Sequence, residues 1–299
     1  LVRLARNAGS LRVAVVHPCD AASLEGLLAA AAGPGGGLIT PLIVAPRVKL
    51  DALARTLRVD LTGFEIEDVP HSHAAAARAV ELVAQGAADA LMKGSLHTDE
   101  LMSAVLAPGS GLLTDKRVSH CFLVETPAYE RPFIITDAVV NIVPDLEQKQ
   151  AIAQNAIDLA HALGVARPRV AVLCAVETVN PRMRSTIDAA ALAKMSERGQ
   201  LTGALVDGPL AFDNAVSVRA ARIKGIKSPV AGHADILLVP DLEAGNMLVK
   251  QLEFLGEAAS AGLVVGTRVP IILTSRADSL AARVNSCALA SAIAARRSA

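Results

Sequence analysis

Short aliphatic runs alternate with longer stretches of helical period along nearly the whole chain, the pattern of parallel strands joined by crossover helices. The first turn of the pattern is clear. Residues 11–17 (LRVAVVH) read as a buried strand, and residues 21–32 as a helix entered through Pro18 and Asp20. Gly33-Pro34-Gly35-Gly36-Gly37 reads as its stop before a strand over 42–45. A strand over 64–69, a helix over 72–85, a strand over 88–92 and a helix over 98–106 continue it. Between Pro108 and Asp145 the rhythm breaks. Two strand-like runs, 117–125 and 132–136, follow each other with no room for a helix, which marks a crossing between domains. A helix over 147–163 then places Ile152, Ala156, Leu159, Ala160 and Leu163 on one face, with Gly164 as its stop. Strands over 170–175, 203–206, 236–239 and 271–274 alternate with helices over 186–198, 214–223, 242–255 and 279–295. The division expected from this is domain I over 1–122 plus 264–299 and domain II over 123–263.

A chain of 299 residues is long enough for about two domains at roughly 150 residues each. Hydrophobic residues make up 52% of it but aromatics only 2%, so aliphatic side chains must do the packing, and disorder is excluded. Lys+Arg and Asp+Glu both number 29, so no basic excess exists to bind a nucleic-acid backbone, and few rings exist on which bases could stack. No apolar run reaches the ~20 residues of a membrane helix, and no secretory leader is recognisable at the start. The first residue is not Met, as expected of a trimmed segment or of part of a larger fused chain. Cys19, Cys121, Cys174 and Cys287 are widely spaced, with no C-x-x-C pair, and read as buried reduced thiols of a cytoplasmic protein.

In doubly wound sheets, ligands bind beyond the carboxyl ends of the strands, so the polar residues just past each strand matter most. These are Lys93-Gly94-Ser95-Leu96-His97-Thr98, Asp137 with Asn141, Asp207-Gly208-Pro209, Pro240-Asp241 and Ser275-Arg276-Ala277-Asp278. Ser275-Arg276 offers a hydroxyl and a guanidinium suited to a phosphate or a developing oxyanion, with an ordinary exposed loop arginine as the plainer reading. Lys93-Gly94-Ser95 offers a cation, a residue without Cβ and a hydroxyl ahead of a helix. Asp278, Ser279 and Thr98 have helix capping as their plainer reading, and Asn214 has a helix start. No phosphate-loop motif, nucleophile elbow or H-E-x-x-H is present, and Gly109-Ser110-Gly111 is only a fragment of a dinucleotide fingerprint. His71 and His73 lack a partner at ligand spacing and read as surface histidines, so no metal site is expected.

Seven segments together resemble the phosphate acetyl/butyryl transferase family over essentially the whole chain. They are Lys93-Gly94-Ser95-Leu96-His97-Thr98, Arg117-Val118-Ser119-His120, the run from Ile135 to Asn141, Glu177-Thr178-Val179-Asn180-Pro181, the run from Asp207 to Ala215, the run from Ala234 to Asn246, and Thr274-Ser275-Arg276-Ala277-Asp278-Ser279. The resemblance implies a dimeric, two-domain α/β enzyme of the isocitrate/isopropylmalate dehydrogenase-like fold. Its sheets would be mixed but mainly parallel, its active site would lie in an interdomain cleft, and domain II would dimerise. It implies reversible transfer of a short acyl group, acetyl or butyryl, between coenzyme A and inorganic phosphate through a ternary complex, with no obligatory cofactor.

By the same resemblance Ser275 and Arg276 match the family's pair at the reacting carbonyl and phosphate. The acetyl-specific branch places its proposed catalytic Asp where this chain has Ala282. Asp278 is the nearest carboxylate here, with His97 and Asp137 as alternatives for proton transfer. Lys93, Ser95, Thr98, Arg117, Ser119, Thr136, Asn141 and Asn214, together with His97 and Asp137, are the expected substrate-binding residues. Two other readings compete: a catalytically inactive acyl-CoA-sensing module of a fused enzyme, and a metal-dependent decarboxylating dehydrogenase on the same fold.

Overall fold

The run LRVAVV forms β1 (Leu11–Val16), after which the carboxylate of Asp20 accepts from the Ser23 amide at 2.8 Å and starts α1 (Ala21–Ala31). The computed structural model describes residues 9–32 and 37–297, so the glycine-rich stop after α1 lies largely outside the described residues. Next come β2 (Ile39–Ala45), α2 (Arg47–Leu57), β3 (Glu65–Asp68), α3 (Ser72–Ala84), β4 (Ala90–Lys93) and α4 (Thr98–Leu106). The expected pair of consecutive strands follows as β5 (Ser119–Glu125) and β6 (Phe133–Thr136), an antiparallel hairpin pairing Phe122 with Ile135. The chain continues through α5 (Leu146–Ala162), β7 (Arg169–Leu173), α6 (Arg184–Glu197), β8 (Leu205–Leu210), α7 (Phe212–Val216), α8 (Val218–Ile223), β9 (Ile236–Leu238) and α9 (Leu242–Leu255). It ends with β10 (Ala259–Val265), β11 (Ile271–Ile272) and α10 (Leu280–Arg297).

These elements fall into two units, Leu1–Asp115 with Ala261–Ala299, and Lys116–Ser260. In the first, the strands lie in the order β3-β2-β1-β4-β11-β10, all parallel neighbours except β10 against β11. In the second, the order is β5-β6-β9-β7-β8, with β6, β9, β7 and β8 parallel. The architecture is therefore mixed α/β with mainly parallel pairing. Because β1, β4 and β11 are adjacent and parallel, the residues just beyond them, His17, Gly94 and the segment from Thr274, come out at one end of one sheet.

In the second unit Phe122 and Phe133 join Val124, Ile135, Leu173 and Leu237 in the core. Tyr129 stands edge-on to Phe133 at 5.5 Å and donates its hydroxyl to the Ala234 carbonyl at 3.0 Å.

Four sequence expectations needed correction. α2 was not anticipated, because only Leu50 and Ala54 on it are buried and its apolar stripe is correspondingly thin. β10 was also missed; small residues (Ala259, Ser260, Ala261, Gly262) dilute its β-branched signal, and pairing with β11 makes it a strand. β8 does not stop at Val206 but runs through Asp207-Gly208-Pro209 to Leu210, with a register shift against β7, so Asp207 lies within a strand and not past its end. The single helix expected over 214–223 is two, broken at Ser217, whose hydroxyl accepts from the Ala220 amide at 3.2 Å and starts α8.

Candidate active site

At the end of β4 the Lys93 side chain is buried and donates to the carbonyls of Thr274 at 3.2 Å and Gly94 at 3.3 Å. Burial pushes its pKa below the ordinary lysine value, and the nearby guanidinium groups of Arg276 and Arg283 push it the same way. Gly94 has a defined reason to lack a side chain. A Cβ there would lie 2.4 Å from the Val16 carbonyl oxygen and 2.6 Å from that of His17. The close approach is therefore to the neighbouring strand β1, and the Gly94 and Ser95 amides donate to those same two carbonyls at 2.9 Å.

The Ser95 hydroxyl donates to the His17 carbonyl at 2.8 Å and lies 3.0 Å from His17 Nδ1. Since that oxygen's proton is used, the contact is satisfied by an Nδ1–H tautomer, which leaves Nε2 as a buried lone pair without a partner among the described residues. Burial, with Lys49 nearby, lowers the His17 pKa and so favours the neutral ring. Sequence reasoning did not single out His17; only its place at the end of a strand next to β4 could have done so.

The loop after β11 presents Ser275 and Arg276, both exposed. Its turn is closed reciprocally, with the Ser275 amide donating to Asp278 Oδ2 at 2.7 Å and the Asp278 amide to the Ser275 carbonyl at 3.3 Å. Asp278 thus shapes this loop, while Ser279 starts α10 by accepting from the Ala282 amide at 3.1 Å. Arg276 Nη2 donates to the Ser95 carbonyl at 3.2 Å, so the Lys93–Ser95 and Ser275–Arg276 segments form one cluster. Among the described residues every acceptor that Lys93 and Arg276 reach is a neutral oxygen, which leaves their positive charge to be answered by an anion. Ala282 is buried on α10.

In the second unit a different group forms around Asp137, just past β6. Its buried carboxylate accepts from the Val139, Val140 and Asn141 amides at 2.9, 3.0 and 3.2 Å, and from Asn141 Nδ2 at 2.5 Å. Burial pushes its pKa up, and the four donors oppose that. Asn141 also donates from Nδ2 to the Val118 carbonyl at 3.0 Å and accepts from Arg117 Nε at 2.7 Å. Asp137 thereby orients Asn141, and Asn141 orients the Arg117 guanidinium. Ser119 is fully buried and accepts from Asn155 Nδ2 at 2.9 Å, while Thr136 donates to the His120 carbonyl at 2.8 Å. Those two hydroxyls serve the packing of β5 and β6.

The remaining expected residues sit at helix starts. His97 is the exposed residue before α4, its amide facing the Glu100 carboxylate at 3.5 Å, and Thr98 is the first residue of that helix. His71 caps α3 by accepting from the Ala74 amide at 3.2 Å, and His73 lies 3.5 Å from Glu100. Asn214 is fully buried in α7 with Nδ2 3.4 Å from Glu177 Oε2, and its Oδ1 has no partner among the described residues. All four cysteines are free thiols; burial raises Cys19 to about 11, both Cys121 and Cys287 to about 12, and Cys174 above its ordinary value, so none is a ready thiolate.

A family model described as "Phosphate acetyl/butaryl transferase" matches residues 69–291. A phosphate acetyltransferase of Rhizobium meliloti is 58% identical over 297 residues, covering 99% of this chain and 93% of that protein. A phosphate butyryltransferase of Clostridium acetobutylicum is 43% identical over 258 residues, covering 86% of each. Among solved structures, a branched-chain phosphotransacylase from Enterococcus faecalis V583 superposes with a TM-score of 0.81 at 31% identity, over 95% of this chain and 99% of that one. With matches of this extent in sequence and in structure, the chain belongs to the phosphate acetyl/butyryl transferase family.

Proposed function

We propose that this chain catalyses reversible transfer of a short acyl group, acetyl or butyryl, between coenzyme A and inorganic phosphate in a ternary complex. The observation that carries the reading is the cation cluster at the carboxyl ends of β4 and β11. There Lys93 and Arg276 spend their hydrogen bonds on neutral oxygens beside the exposed Ser275 hydroxyl. Such a cluster suits a phosphate dianion held next to a thioester.

In the forward direction a phosphate oxygen bonds to the thioester carbon, and the carbonyl electron pair moves onto its oxygen. Collapse of that intermediate then breaks the carbon–sulfur bond. Arg276 and Ser275 are the donors assigned to the phosphate and the oxyanion. The hydrogen phosphate loses its proton as its oxygen bonds to carbon, the coenzyme A thiolate takes up one as it leaves, and Asp278, beside the same pair, is the carboxylate assigned to carry the proton from the one to the other. Lys93, Ser95, His97, Thr98, Arg117, Asp137, Asn141 and Asn214 are assigned to substrate binding, with Arg117 as a further phosphate-seeking group; Ser119 and Thr136, buried and bonded to Asn155 and to the His120 carbonyl, are left to packing. The raised thiol pKa values favour direct transfer over a cysteine-bound acyl intermediate. The assignment carries with it the isocitrate/isopropylmalate dehydrogenase-like fold, a cytoplasmic setting, no obligatory cofactor, and a homodimer. The exposed stripe Met247, Phe254 and Leu255 on α9 is an apolar face suited to a second copy.

The test is thiol release from acetyl-CoA, propionyl-CoA and butyryl-CoA with and without phosphate. Phosphate-dependent release with formation of the acyl phosphate is expected. Binding of acyl-CoA without release would replace the proposal with a sensing module.

A further inference from the structure

We infer that Arg283 is the positioning residue of the reacting loop, its single guanidinium setting the backbone path of Thr274, Ser275 and Arg276. The inference rests on the acyl-transfer reading of Ser275 and Arg276. Arg283 lies in the first turn of α10 and is only 2% exposed. Its Nη1 donates to Thr274 Oγ1 at 3.1 Å, and its Nη2 to the Ser275 carbonyl at 2.8 Å and the Arg276 carbonyl at 3.4 Å. Three consecutive residues are thus held from beneath by one planar fork. With their carbonyls engaged there, the Ser275 and Arg276 side chains stay exposed.

The arrangement is costly in two ways. Among the described residues Arg283 has only neutral oxygens as acceptors, and its buried Nε has no partner. An apolar side chain of similar volume would satisfy a purely structural role at lower desolvation cost. Helix α1 also makes room for it: a Cβ at Gly26 would lie 2.8 Å from Arg283 Cδ, so this helix position excludes even alanine unless the arginine moves. A fork that meets several acceptors at set angles cannot be replaced by the point charge of lysine. Displacement of reacting groups by ~1 Å costs about 10²-fold in rate.

The experiment compares the parent chain with Arg283→Met, Arg283→Lys, Gly26→Ala and Arg276→Ala, measuring kcat, KM for acyl-CoA and phosphate, and thermal melting. Arg283→Met is expected to melt cooperatively within a few degrees of the parent while kcat falls about 10²-fold and KM for acyl-CoA changes little. Arg283→Lys is expected to recover only part of the loss. Folded Arg283→Met with kcat within about threefold of the parent overturns the inference. If Arg283→Met fails to fold, Gly26→Ala decides. It keeps the charge but displaces the arginine stem, so a kcat loss supports the inference and unchanged kcat overturns it. A parent chain that releases no thiol would sink the acyl-transfer reading instead. An active parent with inactive Arg276→Ala and fully active Arg283→Met would sink only the role of Arg283.

Discussion

Arg276 donates from Nη2 to the Ser95 carbonyl at 3.2 Å, joining the loop after β11 to the loop after β4. Residues 181 positions apart in the chain thereby share one cation cluster. Arg276→Ala removes both that tie and the exposed guanidinium. Acyl transfer is expected to fall at least ~10²-fold, the loss typical of one oxyanion donor, with the melting temperature little changed. Thiol release and a melting curve on the same preparation check it; near-parental turnover contradicts the role.

Lys93 supplies a pH dependence. Its pKa is depressed by burial and by Arg276 and Arg283, so it is cationic below that value and neutral above it, reached at lower pH than for a free lysine. Two consequences follow from the sign. KM for phosphate is expected to rise as pH climbs through the depressed pKa. The folding cost of burying the charge, present at lower pH, is relieved between the depressed pKa and the unfolded value. A KM–pH profile of the parent against Lys93→Met, in which the alkaline rise disappears, is the measurement. A parental KM flat up to the ordinary lysine range would refute the assignment.

Asn141→Ala takes one donor from Asp137, one from the Val118 carbonyl, and the acceptor that holds Arg117 Nε. Leaving buried polar groups unpaired costs about 1–3 kcal/mol each. A loss of that order in urea unfolding is expected, together with weaker substrate binding as Arg117 is released. Unchanged stability would mean that the Asp137 carboxylate is held sufficiently by its backbone donors.

Gly94→Ala drives a Cβ onto two backbone carbonyls of the β1 end, at 2.4 and 2.6 Å. Backbone cannot swing aside as a side chain can, so β4 and β1 must separate. A destabilisation at or above the ~1–3 kcal/mol of ordinary overpacking is expected, with activity lost alongside because Lys93 and Ser95 flank the site. A melting temperature equal to the parent's would contradict the close approach.

Lys149 and Asp188 form a buried ion pair at 3.0 Å between α5 and α6, and Arg184 adds a second contact to Asp188 at 2.8 Å. Burial raises the Asp188 pKa, but the bonds from Arg184 and Lys149 outweigh it and hold the carboxyl below its usual range. Its stabilising share is therefore present above the unfolded carboxyl pKa and is lost as pH falls through the depressed folded value. Lys149→Met is expected to cost toward the lower end of the ~3–5 kcal/mol of breaking a buried pair, since Arg184 remains. Chemical unfolding at neutral pH measures it, and a neutral result would assign the holding of Asp188 to Arg184 alone.

Much of this protein is written locally. Thr98–Leu106 and Leu242–Leu255 form where their periodicity places them, and Gly164 follows α5 at φ 93°. The unbroken pair of strands appears as the β5–β6 hairpin. The motifs after β4, β6 and β11 were legible as polar residues past aliphatic runs. Their roles were not, because a capping aspartate and a loop-closing aspartate look identical in sequence: Asp278 closes its own turn, and the next residue, Ser279, starts the helix. Thr136 and Ser119 look like site hydroxyls until their partners, the His120 carbonyl and Asn155, are seen.

Period, caps and breakers act over a few residues, so the sequence by itself determined most of the alternation of strand and helix and the ends of β4 and β6, but not α2, β10 or the end of β8. Those ends also carry the family motifs. The tertiary structure decided what meets at them. β10 became a strand through its pairing with β11, Gly94 required close approach because β1 lies alongside, and Arg283 became visible only when α10 packed beneath the loop after β11. The physical reason is that burial and hydrogen-bond partners are set by residues distant in the chain, and a buried guanidinium declares its use only through the acceptors that folding brings to it.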